Sequence, residues 1–399
     1  MTENKSARRI QYLNLVTTSV AHFFHDVYTA FLAPVLPILI DKLGISLFQA
    51  GTLSVFQRIP TLFNPLIGIL AEKVRSKYFI IFTPAITAIS MSMIGLAPTY
   101  SVLVIIMMVS GLSSAFFHVP GPVVVRRLSG DRPGLGMSFF MAGGELARTA
   151  GPLVILGAVS LFSFEGIWVL MFFGIAASMV LFFRLKEVDL RRDRSQIQQK
   201  GHYWQIFRQF IPMFSSLSFF TFFFGAIKSS LTLFLPTYLI FEGYSLWLAG
   251  ISLSVLQLAG VAGTLLAGPL ADRIGNRRLM RWVAIVTPLI MLLFTRVNVF
   301  LGIPLLIILG VFLFAPGPVL LSVVNSSRTM NLPFLNGIYY TINFFLNAVM
   351  VMIIGWIADQ IGLPNTYLLS VGVGLLAIPF IWRMKFESYG ESNPADTVT

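Results

Sequence analysis

Long apolar runs constrain the fold of this 399-residue chain more than any other feature of its sequence. A helix needs about 20 mainly apolar residues to cross the roughly 30 Å hydrocarbon core of a bilayer. Inside that core every backbone polar group must be hydrogen-bonded within the protein, which favours helices. Twelve runs of this kind occupy residues 13–40, 48–71, 79–97, 102–124, 135–160, 167–184, 207–240, 247–270, 279–295, 301–324, 335–357 and 365–384. They predict an all-α, multi-pass membrane protein with twelve transmembrane helices.

The composition agrees with a chain that is surrounded mainly by lipid. Hydrophobic residues make up 56% of the sequence and charged residues 11%, whereas about 25% of a soluble domain is charged. The first run, 13–40, is too long for the core of a signal peptide and is predicted to be retained. The absence of cysteine excludes disulfides, thiolate metal sites and cysteine nucleophiles.

The basic residues set the predicted orientation. The formal net charge is +12, and Lys and Arg concentrate in short loops between the runs. A cytoplasmic N-terminus places most of the 28 basic residues on the cytoplasmic side and leaves only Lys42 and Arg296 outside, as the positive-inside rule requires. We therefore predict a protein of the cell inner membrane with both termini in the cytoplasm. Because topology accounts for the basicity, no nucleic-acid partner is expected.

A weak internal repeat divides the chain. The polar stretch GPLADRIGNRR at 268–278 has a weaker copy, GILAEKVRSK, at 68–77. Leu-Pro at 36–37 returns at 235–236, and Pro-Gly-Pro-Val at 120–123 returns at 316–319. The offsets lie between 196 and 200 residues, which predicts two parallel six-helix bundles, 1–184 and 206–399. The basic linker 185–205 is either simply solvated or lies against anionic headgroups.

The pattern G-x-x-x-D-R-x-G-x-R-R at 268–278 resembles the loop signature of the major facilitator superfamily, which lies between the second and third helices of each half. The copy at 68–77 has Glu72 at the position of Asp272 and lacks the second glycine. The resemblance implies the major facilitator fold, with two pseudo-symmetric bundles, and transport by alternating access. It also implies that Gly268, Asp272, Arg273 and Glu72 take part in gating on the cytoplasmic side.

A narrower resemblance rests on His22 with Asp26, Phe117-His118, Gly143-Gly144 and Gly151-Pro152. These residues are similar to those of the bacterial fosmidomycin-resistance transporters, which are inner-membrane exporters of a phosphonate antibiotic. The chain departs from that family at Val119-Pro120, where the family has Pro-Glu. It also departs at Glu145 and Arg148, which replace small or neutral polar residues.

Ionisable residues inside the runs are the main candidates for function, because a charge in mid-membrane is costly and marks a pathway or a partner. His22, His25 and Asp26 share one stripe of the first helix. Asp26 can bind and release a proton, and histidine titrates near neutral pH. We predict that these three residues and Glu145 couple protons to transport. The alternative for the histidines is that they only hydrogen-bond to neighbouring helices.

Glu145 and Arg148 are spaced i,i+3 in the fifth run and can pair on one helix face. Their segment, 143–152, resembles the Gly-Pro motif associated with antiporters of the superfamily, and its small residues allow close helix approach. The pair is either structural, each charge neutralising the other, or it is a switch in which a proton on Glu145 frees Arg148 to hold an anion.

An excess of buried cations predicts an anionic ligand. Arg58 and Lys228 have no acid in their own helices, and the planar fork of arginine suits phosphate or phosphonate. Pairing of Lys228 with Asp26 is the alternative. The predicted substrate-binding residues are Arg58, Arg148, Lys228, Gln57, Gln257 and Asn343, with Asn64 and Asn347 as weaker candidates.

His118 lies directly before Val119 and Pro120-Gly-Pro122, which must break regular helical hydrogen bonding. It is predicted to lie at a gate hinge, with a structural histidine as the alternative.

The predicted function is proton-coupled efflux, by antiport, of a small amphiphilic or anionic compound. The alternative is uptake of an organic anion or nutrient by symport or uniport. An enzyme is not expected, since the sequence has no H-E-x-x-H, G-x-S-x-G or G-x-x-x-x-G-K-[ST] motif. No cofactor or metal is expected, the proton gradient being the energy source. The expected partners are the substrate, protons and the lipid bilayer, with the protein working as a monomer.

Overall fold

The computed structural model describes residues 2–64, 66–67, 70, 77–129, 133–185, 203–325 and 332–384. Every regular element in these residues is helical. The helices before the linker are α1 (Thr2–Thr29), α2 (Leu32–Leu43), α3 (Leu47–Arg58), α4 (Lys77–Ser92), α5 (Tyr100–His118), α6 (Gly121–Leu128), α7 (Pro133–Phe162) and α8 (Met171–Leu185). Short 3₁₀ helices at Ile59–Phe63, Met93–Leu96 and Glu165–Leu170 extend or join them.

The helices after the linker are α9 (Tyr203–Leu233), α10 (Leu235–Phe241), α11 (Leu246–Ile274), α12 (Asn276–Phe294), α13 (Val299–Phe314), α14 (Pro316–Asn325), α15 (Leu332–Ile361), α16 (Leu363–Leu375) and α17 (Ile378–Arg383). The chain forms two compact units. The first comprises residues 1–196 with 232–258, and the second comprises 197–231 with 259–399. The bundle boundaries expected at 184 and 206 stay a prediction.

The all-α multi-pass fold is confirmed, whereas the count of twelve stays a prediction. In the described part of the chain, 10 segments are long and apolar enough to cross a membrane. The second predicted span, 48–71, lies partly outside the described residues. The ninth is α12, whose first turns carry Arg277, Arg278 and Arg281 and are therefore less apolar than the rest.

Among the described residues, four interrupted membrane helices form two pairs that the repeat relates. The first breaks between α1 and α2 at Ala30-Phe31, and the seventh between α9 and α10 at Phe234. The fourth breaks between α5 and α6, and the tenth between α13 and α14. Prolines lie just after or within each break, and a proline removes a backbone donor. Interrupted helices at matching positions of two repeats are typical of the binding region of a transporter.

The stretch 268–278 is mostly helical, so its description as a loop is wrong. Helix α11 continues to Ile274, and α12 begins at Asn276. Only Gly275 separates them, with a φ of 89°, a conformation that favours glycine. In the weaker copy, residues 71–76, including Glu72, lie outside the described residues.

Glycines allow close contacts between helices of the first unit. A Cβ atom on Gly174 in α8 would collide with Ala88 Cβ of α4 and lie 3.0 Å from the carbonyl oxygen of Pro84. Gly157 in α7, by contrast, has no neighbour within 4 Å of such an atom. The α4–α8 contact therefore depends on the absence of a side chain at residue 174.

We expect Gly174→Ala to destabilise the protein by about 1–3 kcal/mol, because overpacking forces neighbouring groups apart. Gly157→Ala is the matched control and should be neutral or slightly stabilising, since alanine is the better helix former. Thermal unfolding of both purified variants in the same detergent measures the difference. Equal melting temperatures would show that the α4–α8 contact can relax at no cost.

Candidate functional site

Three ionisable side chains of α1 are buried together in the first unit. His22 and Asp26 are each 4% exposed, and His25 is fully buried. They lie on one stripe of the helix, as predicted, because residues three and four apart share a face. The hydrophobic wall around them contains Phe117 and Phe140, whose rings stack on His25 and His22 at centroid distances of 4.4 and 4.0 Å.

Asp26 lies between two imidazoles. Its Oδ2 atom is 3.3 Å from Nε2 of His22, and its Oδ1 atom is 3.1 Å from Nε2 of His118. His118 is the last residue of α5, directly before the helix break, and its side chain is 39% exposed against 5% for Asp26. The residue predicted to lie at a gate therefore contacts the carboxylate, and it forms the exposed end of the cluster.

Hydrogen-bond direction fixes the proton on His22. Its Nδ1 atom lies 2.7 Å from the carbonyl oxygen of Phe140. A carbonyl only accepts, so Nδ1 carries the hydrogen, and Nε2 of the neutral ring presents a lone pair. Among the described residues, Nε2 makes no hydrogen bond. When His22 is neutral and Asp26 is ionised, Nε2 of His22 and Oδ2 of Asp26 face each other and both are acceptors. One additional proton between them would give each atom a hydrogen-bond partner.

The same reasoning applies to His25. Its Nδ1 atom lies 3.2 Å from Oγ1 of Thr87, which donates to Ser113 Oγ at 2.8 Å. Ser113 donates in turn to the carbonyl oxygen of Thr83 at 3.0 Å. The chain ends on an acceptor, so Nδ1 of His25 carries the hydrogen, and its buried Nε2 has no partner in the described part of the chain.

Sequence reasoning missed these hydroxyl groups. They belong to Thr87 in the third run and Ser113 in the fourth, and the sequence carries no signal that would have paired these two residues.

Helix α7 reaches the cluster through its glycines. A Cβ atom on Gly144 would lie 2.7 Å from His22 Nε2 and 3.1 Å from Asp26 Oδ2. One on Gly151 would lie 2.7 Å from Ala30 Cβ. The small residues of this segment were predicted to allow another helix to approach closely, and that helix is α1.

The cluster could also bind a metal ion by geometry alone. The ligand atoms of His22, Asp26 and His118 lie within 4.8 Å of one another. A single proton between His22 and Asp26 meets the same requirement, since His118 can donate to the other carboxylate oxygen.

Two arginines and one glutamate form a second polar group in the first unit. Arg148 Nη2 lies 3.1 Å from Glu145 Oε1, and the Arg148 side chain is 40% exposed. Arg58 is also exposed and is close enough to Arg148 for their charges to repel. Gln57 instead donates to Thr29 O and Ser110 Oγ, both at 3.4 Å, so its amide bridges helices.

In the second unit, Lys228 of α9 places its Nζ atom 5.1 Å from the ring centroid of Phe314, the last residue of α13. Lys228 also lines a small cavity, together with Tyr339, Asn343 and Asn347 of α15. Asn343 donates to the Tyr339 carbonyl at 2.9 Å, and Asn347 donates to that of Asn343 at 2.7 Å.

The remaining candidates lie apart from these groups. Gln257 is half-buried in the part of α11 that belongs to the first unit. Asp272 and Arg273 are exposed near the end of α11, and among the described residues Asp272 makes no ion pair within 4.0 Å. Gly268 has open space around it. Asn64 is half-buried, and its Oδ1 atom has no hydrogen-bond partner in the ranges given above.

Comparison with known proteins extends over most of the chain. The fosmidomycin resistance protein of Escherichia coli (strain K12) is 24% identical over 374 residues, which cover 90% of each chain. The multi-drug resistance efflux pump PmrA of Streptococcus pneumoniae is 22% identical over 277 residues, which cover 67% of this chain and 69% of PmrA.

A solved structure has the same fold. The bacterial homologue of the human lysosomal transporter Spinster, in an inward-facing and unoccupied conformation, superimposes with a TM-score of 0.77 at 14% identity. The superposition covers 94% of this chain and 96% of that one. The predicted similarity to the fosmidomycin-resistance proteins is confirmed. Because the family model described as Major Facilitator Superfamily also matches residues 18–329, this chain belongs to that superfamily and is a membrane transporter, not an enzyme.

Proposed function

We propose that this transporter exports a small amphiphilic or anionic compound from the cytoplasm in exchange for protons, by alternating access. In this proposal it works in the cell inner membrane as a monomer, with both termini in the cytoplasm. The proton gradient drives it, and no cofactor takes part. The names of its relatives, a fosmidomycin resistance protein and a multi-drug efflux pump, support the outward direction.

The contact between His22 and Asp26 carries the proposal. With a proton on Nε2, His22 donates to Asp26 across 3.3 Å, and the buried charges neutralise each other. Without it, two acceptors face each other in a site that excludes water, which is unfavourable because a buried polar group without a partner costs free energy. Gain or loss of one proton therefore changes the energy of this arrangement of α1.

The cluster is well placed to convert that change into movement. Asp26 lies one turn before the α1–α2 break, and His118 lies at the α5–α6 break. Helix breaks are positions where backbone direction can change without disrupting a continuous ladder of hydrogen bonds. Protonation of Asp26 or His22 would weaken the attraction for His118, and the two breaks would then be free to move apart.

Arg58 and Arg148 support an anionic group on the exported compound. Arg58 is exposed and Arg148 is partly exposed, and among the described residues Glu145 is the acid that pairs with Arg148. Protonation of Glu145 would release Arg148, whose planar donors then suit a carboxylate or phosphonate. Uptake by symport or uniport would use the same residues, so direction has to be measured.

We expect Asp26→Asn to reduce pH-driven export by at least about tenfold, because the amide cannot gain and release the coupled proton. Everted vesicles that express the protein would be energised with a pH gradient and offered fosmidomycin and a panel of organic anions. Asp41→Asn, which removes an exposed carboxylate from the end of α2, is the matched control and should transport normally. Coupling that survives in Asp26→Asn would overturn the proton role, and accumulation inside intact cells would overturn export.

Gly144→Ala should slow proton-coupled transport by about tenfold, because its methyl group would push His22 away from Asp26 and overpacking costs about 1–3 kcal/mol. Gly157→Ala changes the same helix at an open position and should leave the rate unchanged. The rate of each variant would be followed from pH 5.5 to 8.5. A Gly144→Ala profile identical to that of the parent protein would show that the α1–α7 contact does not control the proton site.

Neutralising Asp272 should shift the conformational equilibrium more than neutralising Glu72, because only the Asp272 copy of the motif is nearly complete. The chain has no cysteine, so single cysteines introduced along the cytoplasmic ends of helices can report accessibility to a maleimide. Equal labelling of Asp272→Asn and Glu72→Gln would contradict the predicted difference between the two copies of the motif.

A further inference from the structure

A small cavity in the second unit lies beside the α13–α14 break. Residues from α9, α13, α14 and α15 line it, among them Lys228, Leu313, Gly317 and Asn343. Its volume is about 50 Å³. A single water requires about 10–15 Å³ on this scale, so the cavity has room for roughly three or four waters. That is enough for a compact head group and too little for a drug-sized molecule, which needs about 300 Å³ or more.

The lining divides into a polar and an aromatic side. Lys228, Asn343, Asn347 and the Tyr339 hydroxyl provide hydrogen-bonding groups, whereas Phe220 and Phe224 provide rings. Of the described residues that line the cavity, Lys228 is the one that is ionised, and none is acidic. The charge of the lining therefore favours a single negative charge, and the rings favour an apolar body attached to it.

Lys228 is held against a ring. Its ammonium lies 5.1 Å from the centroid of Phe314, within the range of a cation–π contact. The face of a ring offers only a quadrupole, whereas a carboxylate offers a full charge and two acceptor atoms. An incoming carboxylate can thus bind this ammonium more strongly than the ring does.

The internal repeat relates this pair to the proton site. With the 196-residue offset of the Pro-Gly-Pro-Val copies, Phe314 takes the position of His118. With the 199-residue offset of the Leu-Pro copies, Lys228 takes the position of Thr29, one helical turn after Asp26 on the same face. The first repeat thus has a carboxylate one helical turn before the position that aligns with Lys228 and an imidazole at the position that aligns with Phe314, whereas the second repeat has an ammonium and a benzene ring.

We propose that the cavity of the second unit is the subsite for the head group of the transported compound, and that this compound is an organic monocarboxylate with an aromatic or other apolar body. The inference rests on the proposed export function and adds the substrate class. Lys228 binds the carboxylate, the amide of Asn343 or Asn347 donates to its second oxygen, and the apolar body extends out of the cavity past the phenylalanine rings. In this proposal the first repeat binds the proton and the second repeat binds the anion.

The test is direct binding to the full-length protein in detergent, with no transport step. Phenylacetate, 2-phenylethanol and 2-phenylethylamine have similar bodies and carry a negative, a neutral and a positive head group. We expect titration calorimetry to detect phenylacetate, with the alcohol and the amine binding at least tenfold more weakly. Lys228→Met should weaken phenylacetate at least tenfold, whereas Lys228→Arg should retain part of the binding. Arg296→Met removes a cation from an exposed turn outside the cavity and should bind as the parent does.

Phenylacetate binding that is unchanged in Lys228→Met, or a preference for the amine or the alcohol, would overturn the subsite. Absence of phenylacetate binding to the parent protein would overturn the monocarboxylate class. The order of the three probes on the parent protein remains decisive even if Lys228→Met does not fold. Asp26→Asn separates the two proposals, because it should abolish coupling and still bind phenylacetate. We expect that variant to lose coupling and keep phenylacetate binding. Intact coupling would contradict the export mechanism and would not affect the proposed subsite.

Discussion

The carboxylate of Asp26, held between His22 and His118, is the contact on which the rest of the first unit depends. A bilayer tolerates a buried acid only where other groups compensate its charge. The compensation here comes from α1 itself and from the end of α5, and it brings two interrupted helices together. The glycines of α7 then allow a third helix to cover the site, with no side chain between its backbone and the imidazole of His22.

Two kinds of ionic contact are used differently in the first unit. Asp26 is almost completely enclosed, and a carbonyl group fixes the hydrogen on Nδ1 of its neighbour His22, so the ionisation state of Asp26 can change only by transfer of a proton. The side chains of Arg148 and Glu145 are more exposed than that of Asp26, which suits an ion pair that breaks and re-forms. The enclosed Asp26 therefore suits a proton, which needs no volume, whereas the more exposed Arg148 suits an organic anion, which does.

The sequence predicted the fold class because lipid leaves few alternatives for a long apolar run. It also predicted the shared face of His22, His25 and Asp26, which follows from helix geometry alone. The contact between His118 and Asp26 could not be predicted, because it depends on how α5 is positioned against α1 over 92 residues of intervening chain. The hydroxyl chain through Thr87 and Ser113 was missed for a similar reason, since an isolated hydroxyl in a membrane helix usually bonds to its own backbone.

Only one residue connects α11 to α12, so the connection is too short to absorb a movement of either helix. A shift at the end of α11 is therefore transmitted to the start of α12, which carries Arg277, Arg278 and Arg281. In the proposed orientation the exposed Arg277 and Arg278 lie at the cytoplasmic surface of the membrane, so such a shift moves two positive charges relative to the anionic headgroups. The free energy of the movement then includes a contribution from the membrane itself, and the balance between conformations depends on the fraction of acidic phospholipid around the protein.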